Sequence, residues 1–200
     1  MEIYDKLKIR LEGFLAGRKY YKALTAMQYA KPFHGGKRKD NITPEFQHQL
    51  EIALFITNLT IDEPENTIAL SFLHDSCEDA DLDIDEVGNK FGIEIKTPLW
   101  LVTKKYKGTK KSTEEYYDSI SRDKVASILK GVDRINNVNS MVGVFSIEKQ
   151  KEYIIETEKF VLPMIKKAQD LFPSQDGAYE TIKYVLKSQM KLIQAIHESK

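Results

Sequence analysis

The sequence predicts an all-α protein folded as one domain. Apolar residues recur at intervals of three and four along most of the chain, which is the spacing of a helix with one buried face. Sustained alternation of apolar and polar residues, which is typical of a half-buried strand, is scarce. The chain has 200 residues, a length that suits one domain, and contains no internal repeat, low-complexity tract or long linker. We therefore expect residues 1–200 to form a single helical domain.

Ten helices are predicted, and turn-forming residues place several of their ends. The predicted ranges are 3–15, 18–32, 44–59, 65–78, 83–91, 93–105, 112–120, 122–139, 147–169 and 176–198. The glycine-rich, basic loop HGGKRKDN precedes the third helix, and Pro44 is expected in the first turn of that helix. Pro64 is expected to open the fourth helix in the same way. The segment FPSQDG separates the last two helices.

Composition and charge exclude several classes of protein. Thirty basic and thirty acidic residues give a formal net charge of zero, so no global positive field favours nucleic acid or membrane surfaces. Cys77 is the only cysteine, which excludes an intramolecular disulfide and a zinc site built from several cysteines. The opening segment MEIYDKLKIRLEGFL is too charged for a signal peptide, and no stretch approaches the roughly 20 apolar residues of a membrane span. We expect a cytoplasmic protein with no nucleic-acid partner and no membrane contact.

The segment SFLHDSCEDA, residues 71–80, concentrates ionisable groups among apolar residues. At helical spacing His74 lies next to Glu78, and Asp75 lies next to Asp79, on one continuous face. Three carboxylates on one face repel one another, so a cation is expected beside them, and a divalent metal meets that need. In the alternative interpretation the helix simply leaves the core, with its acids in solvent and His74 hydrogen-bonded at the boundary. Partners from distant segments decide between the two.

Two such partners lie upstream and downstream of the His-Asp doublet. His48 opens an amphipathic helix in FQHQLEIALFI, where a histidine at the edge usually has a structural role. Asp133 lies in the otherwise apolar stretch SILKGVDRINNVNSM, where an unpaired carboxylate costs several kcal/mol. Its structural partner would be Arg134, although adjacent residues of a helix point in different directions. Together with His74 and Asp75, these residues offer two nitrogen and two oxygen ligands and leave positions open for water and substrate.

The combination of these motifs resembles the HD-domain metal-dependent phosphohydrolases, and specifically the hydrolase domain of the RelA/SpoT family. The segments HGGKRKDNITPEFQH, HDSCED and DRINN resemble the three motifs that mark this branch. FGIEIKTPLWLVTKKY is similar to the branch's FG…VTK segment, and ETEKFVLPMIKKA is similar to the helix that follows. The resemblance spans about residues 26–170 and implies an HD-domain helical bundle. No synthetase half follows, so a stand-alone small alarmone hydrolase is expected.

The sequence departs from the family pattern beside two of the motifs. The family usually has tyrosine and proline where this chain has Glu45 and Gln49, on either side of the first metal histidine. Its DRLHN motif is DRINN here, with Ile135 and Asn136 in place of leucine and histidine. None of these changes removes a predicted ligand or acid.

The resemblance implies a metal centre with acids beside it. The metal is expected to be manganese, which accepts mixed nitrogen and oxygen donors. Its expected ligands are His48, His74, Asp75 and Asp133. Glu78 and Asp79 would orient or deprotonate the attacking water and later protonate the leaving oxygen.

The resemblance also implies contacts to a small nucleotide. The expected substrate contacts are Arg38, Lys39, Thr103, Lys104 and Asn137. A guanidinium and an ammonium suit phosphate groups, although charges in a loop are more often simply solvated. His34, in the glycine loop, is expected to order that loop or to face the substrate rather than to bind the metal.

The family's reaction removes pyrophosphate from the ribose 3′ position of ppGpp or pppGpp and leaves GDP or GTP. The resemblance implies that activity here, and two alternatives stay open. A related enzyme would use the same metal on a deoxynucleotide, a nucleoside monophosphate or NADPH. A binding module would keep the metal and sense nucleotides without turnover, although a pair of water-activating acids argues against it.

Overall fold

The computed structural model describes residues 2–198, and regular structure in that range is almost entirely helical, as predicted. The helices are α1 Ile3–Arg18, α2 Tyr21–Ala30, α3 Gln47–Ile56, α4 Pro64–Leu73, α5 Ser76–Asp79, α6 Ile84–Phe91, α7 Ile93–Val102, α8 Thr113–Ile120, α9 Lys124–Ser140, α10 Ile147–Glu156, α11 Leu162–Leu171 and α12 Asp176–Glu198. The two short strands are β1 Lys105–Tyr106 and β2 Thr109–Lys110. None of the helices within 2–198 is long and apolar enough to cross a membrane. The cytoplasmic location stays a prediction.

The predicted helix over 65–78 is interrupted at the His-Asp doublet. α4 ends immediately before His74, and α5 starts immediately after Asp75. The ring of His74 turns back onto α4, where its Nδ1 lies 2.9 Å from the carbonyl oxygen of Ser71. The prediction of one continuous helix is therefore wrong at this point, and the two acids after the doublet belong to a separate helical turn.

A short β-hairpin replaces the end of the predicted helix over 93–105. α7 ends before the hairpin, and β1 pairs antiparallel with β2, so that Lys105 lies opposite Lys110. The turn between the strands holds Lys107 and Gly108 at φ angles of 46° and 82°. Two consecutive residues with positive φ give a hairpin turn whose twist matches that of the strands. Strands of two residues are too short to show the alternation that predicts a strand.

The predicted helix over 147–169 contains one wider turn. A π-helical turn over Thr157–Val161 joins α10 to α11. Pro163 lies in the first turn of α11 and has no N–H, so it cannot donate to the carbonyl oxygen one α-helical turn before it. The predicted helix over 176–198 has the bounds of α12, and Pro64 opens α4 as expected.

The buried hydrophobic residues form one cluster, and α9 lies at its centre. α9 packs against α3, α4, α7, α11 and α12, which holds the helix carrying Asp133 on several sides. α12 approaches α9 closely at Gly131, because a Cβ atom there would lie 2.8 Å from Cγ2 of Ile182. This shared core supports the proposal of a single domain and fixes the position of Asp133.

Candidate active site

Three buried side chains from separate elements meet in one cluster, which we call the metal cluster. His48 lies in the first turn of α3, His74 directly follows α4, and Asp133 lies in the middle of α9. The Nε2 atoms of His48 and His74 are 3.2 and 3.9 Å from Oδ1 of Asp133. One potential ligand atom from each residue lies within 4.8 Å of the others. This arrangement suits one metal ion with nitrogen and oxygen donors.

Each imidazole ring is held in a fixed orientation by an oxygen acceptor at its Nδ1 atom. Nδ1 of His48 is 2.7 Å from Oδ1 of Asn136, whose amide nitrogen donates to Oε2 of Glu51 at 2.6 Å. Nδ1 of His74 faces the carbonyl oxygen of Ser71. Because each Nδ1 faces an oxygen acceptor, each carries a hydrogen, and Nε2 is the atom left to bind a metal. Nε2 of His74 is buried and faces the carboxylate oxygens of Asp75 and Asp133, at 3.1 and 3.9 Å.

Asp75 reaches the metal cluster from its solvent side. Its Oδ2 is 3.1 Å from Nε2 of His74 and 3.7 Å from Nε2 of His48, and its side chain is 36% exposed. The structure therefore brings the four predicted ligands together, two as nitrogen donors and two as oxygen donors.

Both Asp75 and the buried Asp133 stay ionised, because the pKa of each carboxyl group is lowered by the neighbouring imidazoles. Burial would lower the pKa of His74, but the charges of Asp75 and Asp133 raise it to about 9. Burial would raise the pKa of Asp133, but the ammonium of Lys130 and the two imidazoles hold it well below its usual value. Two ionised carboxylates this close together, one of them buried, attract cations, and a divalent metal would satisfy both of them.

Further residues of α9 surround Asp133. Nζ of Lys130 is 2.8 Å from Oδ2 of Asp133, and Nδ2 of Asn137 donates to Oδ1 at 2.6 Å. Arg134, the alternative partner, turns away toward the last residue of α10. The sequence interpretation assigned no role to Lys130 or Asn136. Each of them lies three residues from Asp133 and therefore on the same face of the helix. That spacing would have indicated both residues as neighbours of the Asp133 carboxylate.

A cavity of about 570 Å³ opens beside the metal cluster, and its volume is typical of ligand sites. Three of the predicted substrate contacts, Arg38, Lys39 and Asn137, line it. Nη2 of Arg38 lies 3.4 Å from Oδ1 of Asn137 and 3.2 Å from Oγ of Ser140. Because Asn137 also donates to Asp133, it connects Arg38 to the metal cluster.

The loop that carries Arg38, residues 34–45, is folded back on itself between α2 and α3. Asp40 Oδ1 accepts hydrogen bonds from the N–H groups of Ile42 and Thr43, each at 2.9 Å. The backbone of Pro44 forms an isolated β-bridge with Lys37. The prediction that Pro44 lies in the first turn of α3 is therefore wrong, because this pairing holds the proline in the loop.

His34 lies outside the metal cluster, at the start of the loop. Its Nε2 is 3.2 Å from Oγ of Ser76, and its ring stacks on Phe46 with the ring centres 5.9 Å apart. Burial lowers the pKa of His34 and favours its neutral form. These contacts tie the loop to the turn that follows His74, and a loop-ordering role for His34 stays a prediction.

The two predicted catalytic acids have different surroundings. Asp79 lines the cavity, and burial together with the charges of Asp75 and Glu45 raises its pKa to about 6. Glu78 does not line the cavity. Its Oε1 accepts hydrogen bonds from the backbone N–H groups of Lys104 and the residue after it. Only Asp79 is therefore placed beside the metal cluster and the cavity.

Thr103 and Lys104, the remaining predicted substrate contacts, line a different cavity. The hydroxyl group of Thr103 donates to the carbonyl oxygen of Leu99 at 2.7 Å. Nζ of Lys104 is 3.7 Å from Oε1 of Glu156 and 5.4 Å from the ring centre of Tyr116. The structure does not bring these two residues into the cavity beside the metal cluster.

The helical fold and the cluster of two histidines and two aspartates are the features of a recognised class of protein. The model of the family described as the HD domain matches residues 26–171. The chain belongs to the HD-domain family. The resemblance found in the sequence motifs, over about residues 26–170, is confirmed.

Named relatives place the chain near one branch of that family. A guanosine-3′,5′-bis(diphosphate) 3′-pyrophosphohydrolase of Aquifex aeolicus is 32% identical over 144 residues, which are 70% of this chain and 20% of that protein. A GTP pyrophosphokinase rsh of Brucella ovis is 31% identical over 147 residues, which are 70% of this chain and 19% of that protein. The chain thus spans about a fifth of the length of these relatives. The Aquifex protein is by name a hydrolase of the predicted branch.

A solved structure shares the fold. It is described as "A metazoan ortholog of SpoT hydrolyzes ppGpp and plays a role in starvation responses". It superposes with a TM-score of 0.65 at 18% sequence identity, covering 84% of this chain and 95% of that one. At this identity the likeness shows the fold alone, and it confirms the prediction of an all-α HD-domain helical bundle.

Proposed function

We propose that the protein is a metal-dependent phosphohydrolase that removes the 3′-pyrophosphate from ppGpp or pppGpp and leaves GDP or GTP. The observation that carries the proposal is that one cavity lies beside the metal cluster and is also lined by Arg38 and Lys39. A cation site next to cationic side chains suits a substrate with several phosphate groups. The name of the Aquifex relative supports the choice of substrate.

The residues of the metal cluster fit a divalent ion. Nε2 of His48, Nε2 of His74 and the carboxylates of Asp75 and Asp133 would hold it. The Nε2 atoms of His48 and His74 both point at the carboxylates of Asp75 and Asp133 rather than at neutral acceptors, which is the convergence expected of metal ligands. Mixed nitrogen and oxygen donors suit manganese, and we propose Mn²⁺ as the metal. When bound, such an ion polarises a phosphate oxygen and lowers the pKa of water.

Asp79, which lines the cavity, would move the protons of the reaction. It would accept a proton from the attacking water as the water oxygen forms its bond to phosphorus. It would return that proton to the ribose 3′ oxygen as the bond between that oxygen and phosphorus breaks. Glu78 would anchor the hairpin through its bonds to backbone N–H groups, and would not act on water.

The basic loop would hold the rest of the nucleotide. Asn137 and Ser140 keep the guanidinium of Arg38 at the cavity, where its planar donors suit a phosphate group or the face of a base. Nζ of Lys39 lies 4.9 Å from the ring centre of Phe145, which also lines the cavity. GDP and GTP carry no 3′ phosphate that would join the loop to the metal cluster, so we expect both to be poor substrates.

Arg38→Ala tests this assignment of the substrate. Loss of one charge-assisted contact should lower kcat/KM for ppGpp by about 10- to 100-fold, equivalent to about 1.5–3 kcal/mol, without loss of metal. The measurement is steady-state kinetics on ppGpp, GTP, dATP and NADPH with added manganese. Arg10→Ala removes the same group from an exposed position on α1 and should leave all four rates unchanged.

Two results would contradict the assignment. Faster turnover of dATP or NADPH than of ppGpp, with Arg38→Ala having no effect, would leave a phosphohydrolase with a different nucleotide substrate. Tight binding of ppGpp without turnover of any substrate would instead indicate a nucleotide-sensing module.

A further inference from the structure

A second cavity of about 280 Å³ lies between the end of α7 and the β-hairpin. It shares no lining residue with the cavity beside the metal cluster. Its lining includes three lysines, two aromatic rings and one acid. These are Lys104, Lys110, Lys111, Trp100, Tyr106 and Glu115. We call it the hairpin cleft.

Positive charge accumulates at the hairpin cleft without a matching number of acids. Lys110, which lines the cleft, lies directly opposite Lys105 in the antiparallel pair. Like charges in that position destabilise a hairpin. Neither of these two ammonium groups forms an ion pair with an acid of residues 2–198. A bound anion would offset the repulsion.

An aromatic surface stands beside these charges. Trp100 is 45% exposed, although tryptophan is usually well buried. Tyr106 meets its indole edge-on with ring centres 5.9 Å apart, and Nζ of Lys111 lies 4.3 Å from the indole ring centre. Lys111 is held there by hydrogen bonds to the carbonyl oxygens of Trp100 and Leu101. The cleft thus offers a partly exposed indole ring with a fixed cation over one of its two faces.

We propose that the hairpin cleft is a binding site for a nucleoside phosphate, separate from the active site. The base would lie against the face of Trp100 that Lys111 does not cover, because aromatic side chains bind the faces of bases. The phosphate groups would contact the ammonium groups of Lys110 and Lys111. The small volume of the cleft fits a mononucleotide and not a longer chain. This proposal does not depend on which substrate the metal cluster acts on.

Trp100 provides a direct readout, because it is the only tryptophan in the chain. The experiment titrates GMP, guanosine and inorganic phosphate into metal-depleted protein and follows the tryptophan emission. We expect a saturable change with GMP, and weaker binding of guanosine and of phosphate, since each lacks one half of the ligand. Isothermal titration calorimetry on the same samples should give the same Kd for GMP.

Lys110→Gln should weaken GMP binding by about five- to tenfold, as expected for an exposed charge-assisted contact. Its fold should persist, because the change removes a repulsion within the hairpin, and far-ultraviolet circular dichroism checks this. Lys187→Gln, an exposed position on α12, should not alter the Kd. Arg38→Ala, in the other cavity, should not alter the tryptophan signal.

Two outcomes would overturn the proposal. One is a tryptophan emission that stays unchanged when GMP is added, whether or not calorimetry detects binding. The other is a signal that Arg38→Ala abolishes and Lys110→Gln does not, which would place the nucleotide beside the metal cluster. A protein that does not hydrolyse ppGpp could still show the emission change and the calorimetric binding of GMP, so the two proposals are tested separately.

Discussion

Replacing Asp133 with asparagine is expected to remove the metal and to lower kcat/KM for ppGpp by a factor of about 10³ or more. Asp133 is only 3% exposed, and its Oδ1 faces the Nε2 atoms of His48 and His74. Asparagine has nearly the same shape but carries no charge, so the cluster would lose a main attraction for a cation. Stability should also fall by about 1–3 kcal/mol, because Lys130 would keep its charge without its partner.

Elemental analysis after gentle purification, followed by kinetics with added manganese, measures both losses. Asp123→Asn is the matched control on the same helix. Asp123 caps α9 by accepting hydrogen bonds from two backbone N–H groups, and asparagine caps a helix equally well. Its metal content and turnover should be unchanged. A folded Asp133→Asn protein that retains stoichiometric metal and normal turnover would exclude Asp133 as a ligand.

Asp79→Asn is expected to keep the metal and to lower kcat for ppGpp by about 10²- to 10⁴-fold, the usual contribution of a general base. A carboxamide occupies the same space at the cavity but cannot accept the proton of the attacking water. Glu78→Gln should keep most of its turnover, because the new carbonyl oxygen still accepts hydrogen bonds from the N–H groups of the hairpin.

The contrast between these neighbouring acids is measured by single-turnover kinetics at saturating manganese, with the metal content of each variant determined in parallel. The reverse result, in which Glu78→Gln loses turnover and Asp79→Asn does not, would contradict the assignment of Asp79. It would require the hairpin to release Glu78 into the active site during the reaction.

Helical periodicity predicted most of the fold because the helices are amphipathic and pack around one core. The interruption at His74 was not predictable from periodicity, because apolar residues continue at helical spacing through it. The ring's bond to the Ser71 carbonyl is a feature of the folded structure. The hairpin was missed for a different reason, since its signal is confined to the turn residues Lys107 and Gly108.

The residue types of the candidate site were more predictable than its geometry. The spacing of His48, His74 and Asp133 along the chain, with the motifs around them, indicated the residues that the fold brings together. The sequence could not show which of Glu78 and Asp79 faces the cavity, because the directions of both side chains depend on where α4 ends. Nor could it show that Lys104 lines a different cavity, since that depends on how the hairpin packs.

The most direct test of the proposed reaction is anion-exchange chromatography of ppGpp incubated with metal-depleted protein, with samples taken before and after manganese is added and stopped with a chelator. We predict no reaction before the addition. Afterwards, GDP and inorganic pyrophosphate should form in equal amounts. Release of orthophosphate, cleavage at the 5′ position, or turnover that survives exhaustive metal removal would contradict metal-dependent hydrolysis of the 3′-pyrophosphate.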